Sequence, residues 1–444
     1  MRTTAREFAS LSGSSCFGDS VITGATYDSR KVEPGSLFIA VKGERTDGHD
    51  YAVEASHKGA SAVLVNESER ERILHSVKKG CAVITAKDSL SAFQSFASRR
   101  AYESGAEIIA VTGSCGKTTT KDMIAAILSE VGSCAKTPGN MNSIYGLPLS
   151  LMSLEQGTRF GVYEMGTDHI GEMETMTDIL PPDSACLTNI GISHLSNFGT
   201  RENIAIEKGG IFLPGTKGFV LKDGDFNPYF RTVCSDLTEC SIPFSDVEFL
   251  GLDGLGLTLG KEYFVLPLVG THNIKDATLA IALARSYGAT DAQIADGLSS
   301  MKPSFGRSRV VKEGAVTVLE DCYNATFDSV EDAIRTVSSL SWTDSKHIVL
   351  GDMRELGSES EKAHRMVGEE LLKADCKNIF LYGEEIEASY DVLKRAGRKC
   401  LYTRNFEDLS YEVGKETEKG DLLLLKGSRA MAMERIYSAL RSVV

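Results

Sequence analysis

Ile108-Ile109-Ala110-Val111-Thr112-Gly113-Ser114-Cys115-Gly116-Lys117-Thr118-Thr119-Thr120 is the stretch that decides how this chain folds. An apolar run of strand length breaks at a glycine and passes through small residues. It re-emerges as a helical pattern over Lys121 to Val131, with Met123, Ile124, Ile127, Leu128 and Val131 at helical spacing. Strand, glycine loop, Lys-Thr and helix make a phosphate cradle. Backbone N–H groups and a helix N-terminus face anionic oxygens, a lysine neutralises them, and a hydroxyl reaches Mg2+. The general form of such loops has a glycine five residues before Gly116, where this chain has Val111; a shorter Gly-x-x-Gly-Lys-Thr-Thr version fits instead. The alternative, an ordinary glycine-rich turn, is disfavoured by the full strand-to-helix context. Residues Gly113, Ser114, Cys115, Gly116, Lys117, Thr118 and Thr119 are therefore read as a site for a nucleoside triphosphate.

Around this loop the chain has 444 residues, enough for two or three domains of roughly 100–200 residues each. Hydrophobic content of 42% and charged content of 25% describe a globular protein with ample core. A net charge of −13 argues against non-specific binding to nucleic acid or anionic membrane, so a polyanionic ligand needs a local site. The start, Met1 to Phe8, lacks an apolar signal core, and no run approaches the ~18 residues of a membrane span. Ten cysteines without CxxC spacing read as reduced thiols in a cytoplasmic protein. Cys115, inside the loop, is either a reactive thiol or a small filler.

Residues 1 to about 88 carry two dense polar segments, Tyr27 to Ala40 and Val41 to Tyr51, on loops flanking a strand from Leu37 to Val41. Their Ser, Arg, Thr, Asp and His residues suit either a phosphorylated sugar nucleotide or plain solvent. Apolar runs at 60–65 and 81–85 read as buried strands, and a helix from Ser89 to Glu103 leads to the phosphate loop. In the central region Gly139 to Pro148 is a polar loop before a helix, Leu149 to Leu154. Phe160 to Tyr163 is a strand ending at Glu164, in the ligand crevice of an α/β sheet, where a carboxylate holds Mg2+ or an attacking group, or merely caps a helix. The strand Ala185 to Ile190 leads to His194, which is structural or serves a metal or phosphate. Lys208, on a helix from Glu202 to Phe212, reads by default as solvated. Short runs at 219–221, 240–242, 249–252 and 263–266 suggest hairpins appended to the sheet. A helix, Ile274 to Tyr287, follows His272-Asn273. From residue 306 a third unit begins: strands at 316–319, 347–350, 378–382 and 421–425, a helix from Ser329 to Leu340, and a closing helix after Arg429. Repeated strand–helix units imply a second parallel sheet with ligand loops at its strand ends.

Read together, these loops resemble the Mur ligase family over essentially the whole chain. The resemblance rests on Gly113 to Thr119 and Asp28-Ser29-Arg30. Within the family it rests on Gly139-Asn140-Met141-Asn142, Tyr323-Asn324-Ala325, Gly351-Asp352-Met353-Arg354-Glu355-Leu356-Gly357 and Lys426-Gly427-Ser428-Arg429. These point to the branch that adds D-alanyl-D-alanine to a UDP-muramoyl-tripeptide, and no Asp-Asn-Pro-Arg-like motif of the diaminopimelate- or lysine-adding branch is present. The resemblance implies an α/β protein of three domains: 1–88 for the UDP-muramoyl peptide, 89–305 for ATP, and a Rossmann-like 306–444. It further implies that Lys117 contacts the ATP phosphates, that Thr118, Glu164 and His194 serve Mg2+, and that Asn273 serves the adenine. Arg307, Asp321, Tyr323 and Asn324 would bind the nucleotide from the third domain. Asp28, Ser29, Arg30, Thr46, Asp47, Asn140, Asn142, Lys426, Ser428 and Arg429 would bind substrates. Lys208 matches a carbamylated lysine whose added carboxylate would bind a second Mg2+. A monomer acting on small molecules in the cytoplasm is expected, without nucleic acid or membrane insertion. Departures stand at Ser143, Asp276 and Thr326-Phe327, where the family usually has asparagine, asparagine and Asn-Pro. The alternatives are another step of the same family and, from a different class, a P-loop ATPase that forms no covalent product.

Overall fold

Alternating strand and helix patterns build three mostly parallel sheets, one in each third of the chain. The computed structural model describes residues 2–43, 46–441 and 443; Glu44 and Arg45 of the second polar segment fall outside them. In the first third the strand order is Ser15–Phe17, Ala82–Ala86, Ala62–Asn66, Ser36–Ile39, Gly24–Thr26, and only the first runs antiparallel to its neighbour.

The central sheet has six parallel strands in the order Asp236–Cys240, Lys217–Leu221, Ser184–Leu187, Glu107–Thr112, Phe160–Glu164, Cys134–Lys136. After Glu107–Thr112 the chain goes to the far edge, returns alongside at Phe160–Glu164, then crosses to the other side at Ser184–Leu187. That reversal opens a crevice at the carboxyl ends of these strands. Strand alternation sends Ile109 and Val111 into one core with Met123, Ile124, Ile127 and Leu128, and Ile108 and Ala110 into another with Leu147 and Met176. Both faces are covered, which is why the run is continuously apolar.

Several boundaries move. The phosphate-loop helix is Lys117–Ser129, starting well before Lys121, because Gly116 takes a left-handed φ of 78° and turns the chain straight into it. Lys121 is consequently buried, its ammonium donating to the Thr137 carbonyl at 3.0 Å. The runs at 219–221 and 240–242 are not hairpin strands. Lys217–Leu221 and Asp236–Cys240 extend the parallel sheet, joined by the short helix Asn227–Val233, whose seven residues show too little periodicity to be read from sequence. Only Asp246–Phe249, Leu255–Leu259 and Glu262–Leu266 form an antiparallel appendage, and its apolar face joins the core around the phosphate-loop helix.

The last third orders its strands Arg309–Glu313, Val316–Asp321, Leu422–Lys426, Lys346–Gly351, Asn378–Tyr382, Leu401–Thr403, all parallel except the first. The closing helix is reduced to two 3-10 turns, Arg429–Met431 and Met433–Ile436, and one helical turn, Tyr437–Leu440. The helix Ser89–Ser104 belongs to two cores. Phe93 and Phe96 pack with Phe8 in the first, whereas Ala97 and Ala101 pack in the central one.

Candidate active site

Strand register pairs Glu164 with Val111 and Leu187 with Thr112, so the loops after these three strands open at one level. Gly113 has φ 143°, and a Cβ there would lie 1.9 Å from Thr188 Oγ1; only glycine fits. The rest of the loop is held by the neighbouring strand end. Ser114 N donates to the Asn189 carbonyl (3.0 Å), Cys115 N donates to Asn189 Oδ1 (3.0 Å), and Gly191 N donates to Ser114 Oγ (2.8 Å). Thr188 Oγ1 and Asn189 Nδ2 both donate to the Cys115 carbonyl. Lys117 Nζ lies over the loop, donating to the carbonyls of Gly113 (2.9 Å) and Ser114 (3.2 Å), and burial lowers its pKa. Beside it, Thr118 Oγ1 donates to Glu164 Oε2 (2.7 Å) and Asn142 Nδ2 to Glu164 Oε1 (2.6 Å).

The third domain faces this loop across a cleft of about 1000 Å3. Its wall carries the Arg307 guanidinium 4.3 Å over the Tyr323 ring, and Asp321, which accepts from Ser308 N (3.2 Å) and Lys426 Nζ (2.6 Å). Lys426 also donates to the Asn324 carbonyl (3.1 Å), and Asn140 faces the Tyr323 hydroxyl. Among the contacts joining the two sides, Cys115 Sγ lies 3.2 Å from Thr326 Oγ1, and His194 Nδ1 lies 2.6 Å from Glu355 Oε2. Burial lowers the His194 pKa, with Glu355 opposing. Asn273 opens the helix Asn273–Ser286, its amide donating to the carbonyls of Val269 and Gly270.

The Mur ligase middle domain matches residues 111–238, the Mur ligase glutamate ligase domain 306–429, and the Mur ligase catalytic domain 21–101. A UDP-N-acetylmuramoyl-tripeptide–D-alanyl-D-alanine ligase from Treponema pallidum is 37% identical over 94% of both chains. The chain belongs to the Mur ligase family. A Bacillus subtilis relative of the same name is 35% identical over 96% of this chain and 94% of its own. Among solved structures, MurF from Acinetobacter baumannii superposes with a TM-score of 0.85 at 27% identity over 99% of both chains. MurF ligase from Thermotoga maritima in complex with ADP gives 0.77 at 28%, over 94% and 97%.

Of the residues that the family resemblance singled out, the cleft brings together Ser114 to Thr119, Asn142, Glu164, His194, Asn273, Arg307, Asp321, Tyr323, Asn324 and Lys426. Others do not line it. Asp28 and Arg30 close on each other in a 3-10 turn, Arg30 Nε donating to Asp28 Oδ1 at 2.8 Å. Thr46 is exposed, and Asp47 accepts from the backbone and ring of the buried His49. Ser428 accepts from Arg354 N, and Arg429 pairs with Glu434. Lys426, expected to meet substrate, is ion-paired with Asp321.

Donor chemistry around Glu164 fits a hard cation. The carboxylate is 1% exposed, yet its oxygens are held by a neutral hydroxyl and a neutral amide, and no ion pair reaches it among the described residues. Lys117 and Lys121 act on it electrostatically without pairing, and its oxygen donors suit Mg2+. Lys208 is buried, not solvated. Its helix, Arg201–Gly209, is clamped by Glu207, which accepts from Gly171 N (2.8 Å) and Met173 N (2.7 Å). This sets Lys208 Nζ 3.1 Å from Oγ1 of Thr167, a residue of the cleft wall, and burial lowers its pKa to about 7. The neutral amine is the form to which CO2 adds, so the environment fits a carbamate.

Sequence reading missed Glu207 and the placement of Asp276. The Asp276 carboxyl lies under the phosphate loop, where a Cβ on Gly116 would come within 2.5 Å of Oδ1. Its helix packs on the phosphate-loop helix, a placement that tertiary contacts set and local sequence does not show.

Proposed function

We propose that this chain is an ATP-dependent ligase joining D-alanyl-D-alanine to a UDP-N-acetylmuramoyl-tripeptide through an acyl phosphate, in peptidoglycan precursor synthesis. The observation that carries the reading is the match, over 94% of the chain, to relatives of that name. The cleft supports it by facing the phosphate loop with third-domain loops. A carboxylate is a poor electrophile, so amide formation needs an activated acyl group. The tripeptide carboxylate attacks the γ-phosphoryl group and ADP leaves; the dipeptide amine then attacks the acyl carbon and phosphate departs. Lys117 and the loop N–H groups offset charge on the transferring group, where such contacts count most. Thr118, Glu164, His194 and a carbamylated Lys208 would hold Mg2+ (two ions), which supplies further charge neutralisation. The Arg307–Tyr323 stack, with Asn273, Asp321 and Asn324, forms the nucleotide wall, and Lys426 acts through Asp321.

In this reading the domains divide as 1–88, 89–305 and 306–444, the helix Ser89–Ser104 serving both of the first two. The loops of Asp28, Ser29, Arg30, Thr46 and Asp47, with Asn140 and Asn142, receive the UDP-linked peptide, and Ser428 and Arg429 lie on the dipeptide side. The reading takes the active unit to be a monomer. ATP and a nucleotide-linked precursor place the reaction in the cytoplasm; no helix among the described residues is long and apolar enough to cross a membrane. The test is phosphate release and product mass with each UDP-muramoyl peptide, with and without D-alanyl-D-alanine. Product is expected only when ATP, the tripeptide and the dipeptide are all present. Joining of diaminopimelate or lysine to a UDP-muramoyl dipeptide would overturn the assignment.

A further inference from the structure

The loop 351–357 has no part in the chemistry described so far, yet the third domain holds it rigidly. Asp352 accepts from Glu384 N (3.1 Å) and Ile386 N (2.9 Å), Met353 N donates to His364 Nε2 (3.1 Å), and Arg354 N donates to Ser428 Oγ (2.8 Å). Met353 and Leu356 are buried. What this scaffold presents is Glu355, whose carboxylate reaches His194 of the central domain at 2.6 Å.

Both ends of that contact are strained. Among the described residues only five non-glycine residues have positive φ, and two of them are His194 (57°) and Glu355 (69°). Each such conformation is disfavoured and persists where the surroundings over-determine it. The backbone around them is matched as well. Ser196 Oγ donates to the Glu355 carbonyl (3.3 Å), and a Cβ on Gly357 (φ 55°) would lie 3.1 Å from the Ser196 side chain. Stability is a poor explanation, because the Glu355 side chain is 61% exposed and pairs this open contribute little. Imidazole chemistry is a better one. A carboxylate this close to Nδ1 favours the tautomer protonated there and leaves the Nε2 lone pair for a metal.

We propose that Glu355 is the positioning residue for His194: by closing, the third domain delivers the carboxylate that aims the imidazole at the cation. Metal affinity and domain closure are then coupled, and by linkage each strengthens the other equally. The proposal rests on the reading of His194 as a metal ligand.

The experiment titrates Mn2+ by electron paramagnetic resonance into the full chain saturated with a non-hydrolysable ATP analogue, with small-angle scattering on the same samples. Glu355→Ala should weaken Mn2+ binding about 10–100-fold and reduce metal-induced compaction. Glu355→Gln, which keeps an oxygen beside Nδ1 without the charge, should lose less, and Glu355→Ala should add nothing in a His194→Ala background. If His194→Ala weakens Mn2+ binding while folded Glu355→Ala does not, the proposal is overturned and the metal reading stands. If the two substitutions add, Glu355 acts other than through His194 and the proposal is likewise overturned. If His194→Ala leaves Mn2+ binding intact, the metal reading itself fails and takes the proposal with it.

Discussion

Replacing Asp276 with asparagine should stabilise the protein above neutral pH and do progressively less toward pH 4. The carboxyl is buried in the first turn of Asn273–Ser286, beneath the phosphate loop, and burial carries its pKa from 3.8 to about 7. The Thr120 hydroxyl, Arg307 and Lys275 oppose that rise, and Asp332 adds to it. A carboxyl with a higher pKa folded than unfolded holds its proton more tightly in the native state. Its contribution is therefore fully present below the unfolded value, falls as pH rises, and is lost above the folded value. At about 1.36 kcal/mol per unit, the difference integrates to roughly 4 kcal/mol, an upper figure. Asparagine is nearly isosteric and does not titrate, so it escapes this slope. Urea unfolding of both proteins near pH 5 and near pH 8.5 should show the advantage of Asp276→Asn growing by about 2–3 kcal/mol between the two. Parallel stability curves across that window would refute the reasoning.

Lys117→Ala should lower ligation several hundred-fold, about 3–4 kcal/mol of transition-state stabilisation, read from steady-state turnover of the folded variant; near-normal turnover would remove the lysine from the phosphate site. Lys208→Ala should lose most activity and regain part with added formate or acetate. In 13C-bicarbonate the parent protein should show a carbamate resonance that the variant lacks, and full activity without that resonance would leave Thr118, Glu164 and His194 as the whole metal site.

What was legible in the sequence was local. The phosphate loop and Glu164 announce themselves because a strand, its terminal residue and the next helix lie within a few residues of one another. The three-sheet α/β architecture follows from the same rhythm repeated. What stayed hidden depends on partners distant in sequence. Lys426 pairs with Asp321 across 105 positions, which only the adjacency of Val316–Asp321 and Leu422–Lys426 produces. Lys208 looks solvated until Glu207 is seen clamping a helix that begins at Glu172. The Asp28-Ser29-Arg30 segment shows the converse. A polar triplet that satisfies its own turn reads the same in sequence as one poised for a ligand.

The helix Ser89–Ser104 has a consequence for how the molecule comes apart. Phe93 and Phe96 on its first turns and Ala97 and Ala101 on its later ones anchor it in adjoining cores, and Gln94 reinforces the seam by donating to the Ile144 carbonyl at 3.1 Å. Melting either core exposes one half of a helix whose other half remains packed, which couples the unfolding of the two cores it joins. The last third contributes no residue to that helix's two cores. Its own core takes in Val269 of the central region, with Ile192 and Leu252 packed against it, so this seam, and not the shared helix, is what ties the last third to the rest.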